Sequence, residues 1–297
     1  MRTKTRVQRW YRIINNFKQS QKKIEQLEKN VINLLNSNFE KLGSDKRQKD
    51  KLKGKEFQIY SQNGEDGLLL YIFSCIGTTN KSIVEIGIGN GTECNSRNLI
   101  ENYHWNGVLI DGSMDKVNVA RSFYNNICAD NTVEVKNCWV TVENIDSILL
   151  ESGMNSEIDL LSIDIDGNDY WVWNAIECIS PRAVIIEYNA SFGPDESVTV
   201  PYDPNFERFN KHKSGYYHGA SLSALNKLGN KKGYSLICCD SMGTNAIFLR
   251  NDLLKIFEFI FSVETPNTCF YPLEKRLETM SIEDQFQLIK HLDLVTL

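Results

Sequence analysis

Residues 82–92 read Ser-Ile-Val-Glu-Ile-Gly-Ile-Gly-Asn-Gly-Thr, and this stretch decides the fold. Its apolar first half predicts a buried strand. The glycines at 87, 89 and 91 predict a sharp turn into a helix, because glycine adopts backbone conformations closed to other residues. The carboxylate of Glu85 would repel an anionic pyrophosphate and hold a cationic or amine-bearing ligand. The spacing also differs from the dinucleotide fingerprint, whose third glycine comes one residue later.

The composition is typical of a soluble globular protein, with 297 residues, 41% hydrophobic and 24% charged. No apolar run approaches the ~18–20 residues of a membrane span. Basic residues interrupt the N-terminal region, so no signal peptide is predicted. The eight cysteines form no Cys-x-x-Cys pattern, which favours reduced thiols over a zinc ribbon or a disulfide framework. We therefore predict a cytoplasmic protein.

Charge divides the chain into two parts. Residues 1–55 hold 16 Lys and Arg against 5 Asp and Glu, a net charge of +11, whereas the remainder carries −16. Such a split predicts two parts with different roles. Nucleic acid is not expected as a partner, because the acidic body would repel phosphates.

The basic segment contains a heptad pattern. Apolar residues recur in alternating steps of three and four at Trp10, Ile13, Phe17, Ile24, Leu27, Val31 and Leu34. This pattern predicts a coiled-coil helix over 21–42, which would make the protein a homo-oligomer. Two alternatives remain: the helix packs on the body of its own chain, or residues 2–23 make a peripheral contact with an anionic membrane or an acidic partner. The arm and its linker are assigned to 1–55.

Seven strands are predicted in the body of the chain. They cover 82–86, 107–112, 132–140, a run from 158 that ends in the carboxylate cluster of 164–169, 183–189, 234–239 and 246–250. Helical stretches alternate with the first five, which predicts an α/β fold with a mostly parallel sheet covered on both faces. A short turn joins the final pair, so the last strand is predicted to be antiparallel.

Polar side chains collect at the ends of these strands. They are Glu85, Asp111, Asp164, Asp166, Glu187 and Asn189. Ligands of parallel sheets bind beyond the carboxyl ends of the strands. Asp111 follows Gly91 by 20 residues, the spacing of a carboxylate that binds ribose hydroxyls; the alternative is that it caps the next helix.

Three further motifs point to one family: 61–66 (Ser-Gln-Asn-Gly-Glu-Asp), 161–169 (Leu-Ser-Ile-Asp-Ile-Asp-Gly-Asn-Asp) and 186–189 (Ile-Glu-Tyr-Asn). With the glycine turn, they make residues 58–252 resemble the FkbM-type S-adenosylmethionine-dependent methyltransferases. The resemblance implies a Rossmann-like methyltransferase domain over 56–252, S-adenosylmethionine as cofactor, and O-methylation of a sugar, glycan or related polar acceptor. The chain departs from many relatives where Ser162 replaces a lysine and Asp166 a glutamate.

The resemblance also implies the residues of the cofactor site. In this class the glycine loop packs against the amino-acid part of the cofactor. The expected cofactor-binding residues are Glu85, Gly87, Gly89, Gly91, Thr92, Asp111, Gly112 and Asp164.

Transfer to a hydroxyl requires removal of a proton, and two arrangements would provide for it. In the first, His218 is the base; its alternative role is a surface or capping histidine. In the second, a divalent cation such as magnesium lies between Asp164, Asp166 and the Glu187/Asn189 pair and lowers the pKa of the acceptor hydroxyl. Alternatively, Asp164 lines the cofactor pocket while Asp166 and Asp169 cap the next helix. The catalytic candidates are His218, Asp164, Asp166 and Glu187.

The remaining segments of the chain add two expectations. Residues 191–215 are too long for a tight connection and are predicted to form an acceptor-binding lid or a plain surface loop. The extension at 253–297 is predicted to be helical, with a capping box at Ser281-x-x-Asp284.

Competing functions are a non-catalytic cofactor-binding scaffold and a haloacid-dehalogenase-like phosphatase, the latter suggested by the Asp-x-Asp-Gly run at 164–167.

Overall fold

A computed structural model of the protein describes residues 52, 54–128, 132–258, 260–271 and 280–297. These residues belong to one unit, 47–297. The predicted coiled coil, at 21–42, lies outside the described residues, as does nearly all of the arm assigned to 1–55. Both therefore stay predictions, as do the proposed domain limits.

The strands of the described chain are β1 (Ser82–Ile86), β2 (Asn106–Asp111), β3 (Val133–Asn137), β4 (Glu157–Ile163), β5 (Ser180–Glu187), β6 (Val198–Thr199), β7 (Tyr234–Cys239), β8 (Asn245–Arg250) and β9 (Val295–Thr296). The helices are α1 (Glu65–Ile76), α2 (Arg97–Tyr103), α3 (Met114–Ile127), α4 (Ile145–Glu151), α5 (Asp169–Ala175), α6 (Arg208–Lys211), α7 (Leu222–Lys232), α8 (Asn251–Ile256), α9 (Pro266–Cys269) and α10 (Ile282–Ile289).

Seven strands form one sheet in the order β3-β2-β1-β4-β5-β8-β7. Strands β1 to β5 pair in parallel, and β8 runs antiparallel to both of its neighbours, β5 and β7. This confirms the predicted α/β fold with a mostly parallel sheet and an antiparallel last strand. The strand order reverses between β1 and β4, and a crevice opens at such a switch point.

The central strands form the core. Every residue of β1 is buried, and so are the last seven of β5, as expected for strands covered on both faces. Trp173 of α5 packs against Phe248 of β8, with ring centroids 5.0 Å apart. Such continuous burial holds the strand ends rigidly and fixes the positions of the side chains that follow them.

The chain beyond β8 packs against the segment that follows β5. β9 pairs with β6 in a two-stranded antiparallel sheet. α10 begins as predicted, because the Ser281 hydroxyl accepts a hydrogen bond from the Asp284 amide. Within the part of the chain that the structure describes, no helix combines the length and apolar character needed to cross a membrane.

Candidate active site

A cavity of about 700 Å³ lies at the carboxyl ends of the parallel strands. Its walls come from the glycine turn, from the ends of β2, β4 and β5, from the start of β8, and from 206–210. Among the described residues that line it, eight are acidic and two, Lys116 and Arg208, are basic. The cavity therefore favours a ligand with positive charge.

Two glycines shape the floor of the cavity for different reasons. Gly87 has a φ of 92°, and a Cβ there would stand 1.6 Å from the Asp164 carbonyl oxygen, so only glycine lets the two backbones approach. Gly89 has a φ of 59°, and no atom lies within 4 Å of where its Cβ would be. Gly89 thus leaves room for a ligand. Gly91 and Thr92, also predicted to bind cofactor, are absent from the cavity lining.

Glu85 lines the cavity but bonds mainly to the protein. Its two carboxylate oxygens accept hydrogen bonds from the amides of Asn95 and Ser96, at 2.9 and 2.8 Å, and the Ser162 hydroxyl donates to it at 3.2 Å. Burial raises the pKa of the Glu85 carboxyl. Sequence reasoning predicted direct ligand contact, whereas the structure uses both oxygens to hold the loop before α2.

Asp111 lies where the sequence predicts it, at the end of β2 and beside the glycine turn. It lines the cavity, where its Oδ2 accepts a hydrogen bond from the Gly89 amide at 2.8 Å. Its Oδ1 accepts from the amide of Ser113, the residue before α3, also at 2.8 Å. Gly112 is covered by the Trp139 ring, since a Cβ there would lie 2.6 Å from it. Asp111 therefore ties the glycine turn to the loop before α3.

Three predicted catalytic carboxylates meet at the other end of the cavity. Asp164, Asp166 and Glu187 each offer an oxygen within 4.8 Å of the others. Burial, and then the neighbouring Glu187, raise the pKa of Asp164 well above its usual value. Two carboxylates this close repel each other when both are ionised, which is the reason that Glu187 raises the pKa of Asp164.

Asn189, the fourth member of the predicted magnesium site, is engaged elsewhere. It is buried, and its Oδ1 accepts a hydrogen bond from the Ser191 amide at 2.9 Å. Its Nδ2 donates to the carbonyls of Tyr216 and His218 at 2.6 and 2.8 Å. The structure therefore contradicts a ligand role for Asn189, because its amide closes the turn after β5.

The turn after β4 is held by Asp169 alone. Its oxygens accept hydrogen bonds from the Ile165 and Gly167 amides at 2.8 and 2.9 Å. Asp169 therefore holds the turn that leads into α5, and no side chain caps that helix by a hydrogen bond. Asp166 instead adopts a left-handed φ of 56° and turns its carboxylate outward.

His218 lies behind the carboxylates rather than in the cavity. It is 3% exposed, is absent from the cavity lining, and has its Nε2 3.7 Å from Glu187 Oε1. Burial and the charge of Arg208 lower its pKa to about 4, so it is neutral at pH 7. It lies outside α7, which begins at Leu222. The role of His218 as base stays a prediction; Glu187, which does line the cavity, is its acidic neighbour.

Sequence reasoning missed Arg208. Its Nη1 lies 2.6 Å from Asp166 Oδ1 and 4.0 Å from Glu187 Oε1. It belongs to the 191–215 segment, which contributes 206–210 to the cavity wall, as expected of a lid. Its place in the 191–215 segment was the only feature of the sequence that pointed to a role in the site. No local pattern distinguishes Arg208 from the other basic residues of that segment.

Glu65 and Asn245 were also missed as site residues. Both are buried and line the cavity, and Asn245 Nδ2 donates to Glu65 Oε1 at 2.8 Å. Asn245 is the register partner of Glu187 across β5 and β8. The 61–66 motif carried the signal for Glu65, because it places an acidic side chain at the start of α1.

The Methyltransferase FkbM domain model matches residues 60–232, more than half of the chain. The chain belongs to the FkbM methyltransferase domain family. This confirms the resemblance carried by the sequence motifs and makes the chain a methyltransferase. No curated protein matched the sequence of this FkbM-type methyltransferase.

Solved structures with a similar fold are distant in sequence. An S-adenosylmethionine-dependent methyltransferase from Clostridium acetobutylicum ATCC 824 is 10% identical over 62% of this chain and 90% of its own, with a TM-score of 0.41. An O-methyltransferase from Bacillus cereus, solved in complex with SAH, is 14% identical over 72% and 89%, with a TM-score of 0.42. The magnesium protoporphyrin IX methyltransferase from Synechocystis PCC 6803, solved with bound SAM, is 11% identical over 63% and 77%, with a TM-score of 0.40. The family match and the sheet topology carry the assignment.

Proposed function

We propose that this FkbM-type methyltransferase transfers the methyl group of S-adenosylmethionine to a hydroxyl of a sugar, a glycan or a related polar acceptor. The observation that carries the proposal is the acidic cavity at the switch point, open above Gly89 and flanked by Asp111. A sulfonium nucleoside with an ammonium group complements such a cavity, whereas a dinucleotide pyrophosphate would be repelled.

The cavity has room for two ligands side by side. Neighbouring strands lie about 4.8 Å apart, so the strand ends from β2 to β8 span about 19 Å. Asp111 and the glycine turn form the β2–β1 half, which would take the nucleoside. Asp164, Glu187 and Asn245 form the β4–β5–β8 half, which would take the acceptor.

The Asp164–Glu187 pair is the base that this geometry supports best. Burial, and then the charge of Glu187, raise the pKa of Asp164, and a carboxylate with a raised pKa is a better proton acceptor than an exposed one. A positioned base contributes roughly 10²–10⁴-fold to such a reaction, and alignment of the two reactants contributes further. His218 would act through Glu187, by contact with its Oε1.

Two alternative functions would give different experimental results. A non-catalytic scaffold would bind the cofactor without consuming it. A haloacid-dehalogenase-like phosphatase would release phosphate with magnesium and would have no affinity for adenosyl ligands; the family assignment disfavours it.

The cofactor part of the proposal is tested by isothermal titration of the full chain with S-adenosylhomocysteine and, separately, NAD⁺. We expect one S-adenosylhomocysteine per chain and no NAD⁺ binding. Binding of neither compound, or of NAD⁺ only, would contradict the proposal.

The acceptor part is tested by transfer of label from [methyl-³H]S-adenosylmethionine to a panel of methyl pyranosides. We expect label in at least one glycoside, with the methyl group on one of its hydroxyl oxygens. Cofactor binding without transfer to any glycoside would favour the scaffold or a non-sugar acceptor.

A further inference from the structure

The acceptor half of the cavity already contains a cation, the guanidinium of Arg208. Its Nη1 lies 2.6 Å from Asp166 Oδ1 and 4.0 Å from Glu187 Oε1. These two carboxylates, with Asp164, form the cluster in which a divalent metal was predicted. The guanidinium therefore lies next to Asp166 and Glu187, two of the three carboxylates that would have to bind the metal.

The position of Arg208 is determined by contacts other than the ion pair. Its Nε donates to the Gly215 carbonyl at 2.6 Å, which fixes the guanidinium plane. Its segment is anchored where Trp139 Nε1 donates to the Pro204 carbonyl at 2.7 Å. The Phe206 ring packs against Gly167, leaving no room for a Cβ there. These contacts hold Arg208 next to the carboxylate cluster independently of its ion pair with Asp166.

Asp166 is held in a matching position. Its φ of 56° lies in the left-handed region, which a non-glycine residue adopts at some energetic cost. That conformation turns its carboxylate away from the start of α5 and toward Arg208. A strained backbone that presents a carboxylate to one arginine indicates a specific contact.

A metal and this arginine exclude each other. Arginine keeps its charge at all ordinary pH values, so it would repel a divalent ion among the same carboxylates. Magnesium requires near-octahedral oxygen ligands at about 2.0–2.1 Å, yet Asp166 is already paired with Arg208. Asn189, the remaining predicted oxygen ligand, is bonded within its own turn. The residues present therefore do not fit a resident magnesium ion.

We propose that Arg208 is the resident cation of this cluster and that methyl transfer by this chain does not use a metal. The catalytic part of this inference rests on the proposed function. Arg208 is a positioning residue, because it acts on the acceptor through Asp166 and Glu187. Its charge offsets that of the carboxylates while leaving Asp164 and Glu187 facing the acceptor.

The test is titration of the full chain with Mn²⁺, followed by the electron paramagnetic resonance signal of the free ion. Five proteins are compared first: wild type, Arg208→Gln, Arg208→Lys, Asp166→Asn and Lys211→Gln. Lys211 is the matched control, since it lies on the same short helix and pairs with Asp203 rather than with the cluster. The double variant Arg208→Gln/Asp166→Asn locates any site that appears.

We expect wild type, Arg208→Lys and Lys211→Gln to leave the free Mn²⁺ signal unchanged at millimolar metal. Arg208→Gln should gain one Mn²⁺ site whose affinity is at least 10-fold higher than that of any site in the wild type. The double variant should lack this site. A purely structural role for Arg208 would produce no such gain.

Two outcomes would overturn the proposal: a wild-type Mn²⁺ site that Asp166→Asn removes, or an Arg208→Gln variant that gains no site. The metal titration needs neither cofactor nor acceptor. A failure to bind S-adenosylhomocysteine would therefore contradict the proposed function without deciding the result with Mn²⁺.

Discussion

Gly89 offers a direct test of where the cofactor lies, because its open position faces the cavity. A valine there would project into the space above the glycine turn. We expect Gly89→Val to weaken S-adenosylhomocysteine binding at least 100-fold. The protein should stay folded, with a loss of about 1–2 kcal/mol in unfolding free energy from the left-handed backbone. Isothermal titration and urea unfolding measure the two effects.

Gly153 is a matched control for this substitution. It has a φ of 74°, no atom within 4 Å of its Cβ position, and no place in the cavity lining. Gly153→Val should lose similar stability and keep its affinity. If Gly89→Val binds the ligand as tightly as Gly153→Val does, the cofactor is not seated on the glycine turn.

His218 makes stability depend on pH. Burial first, and Arg208 second, lower its pKa from 6.5 to about 4. Between these values the unfolded chain binds more protons than the folded chain, so stability falls as the pH drops from about 7 to 4. A shift of this size corresponds to at most about 3 kcal/mol.

Replacing His218 should remove this pH dependence. We expect the urea-unfolding free energy of His218→Gln to fall less than that of wild type between pH 7 and pH 4. The exposed His291 provides the control, and His291→Gln should follow wild type. Equal pH dependence in all three proteins would show that His218 is not held neutral by its surroundings.

At the scale of elements, a buried ion pair joins the first helix to the sheet. Asp159 of β4 accepts hydrogen bonds from the Thr79, Asn80 and Lys81 amides, and Arg182 Nη1 lies 2.7 Å from its Oδ1. Arg182 also donates to the Gly77 carbonyl at the end of α1. The pair therefore fixes the connection between α1 and β1.

Breaking this pair from one side should cost more than removing both charges. We expect Asp159→Asn to lower the unfolding free energy by about 3–5 kcal/mol, because it leaves a buried guanidinium uncompensated. Asp159→Asn/Arg182→Leu should be less destabilised than the sum of the two single variants. Denaturant unfolding of all three measures the coupling, and additive effects would contradict it.

Element boundaries show where local patterns suffice. The limits of β1 and β7 agree with the predicted 82–86 and 234–239, since apolar runs bounded by turn residues define both strands. The helix α2, which follows the glycine turn, begins only at Arg97, because the amides of Asn95 and Ser96 bond to Glu85 instead. A tertiary contact thus delays a helix that the local sequence would start earlier.

At the scale of the whole molecule, the charge division predicts that the N-terminal segment has a role of its own. The heptad over 21–42 lies outside the described residues, so self-association through it is a proposal from sequence. Deleting residues 1–42 should lower the sedimentation coefficient by more than the lost mass accounts for. An unchanged oligomer in sedimentation velocity would exclude the coil as the site of assembly.

The sequence by itself determined the α/β fold, the glycine turn and the gathering of acids at one sheet edge. These follow from periodicity and turn chemistry, which act over a few residues. The tertiary structure decided which of those acids face a ligand. It seals His218 behind Glu187, and it brings together Asp166 and Arg208, 42 residues apart, and Glu65 and Asn245, 180 apart. Such pairings depend on how distant segments pack, and no local pattern encodes them.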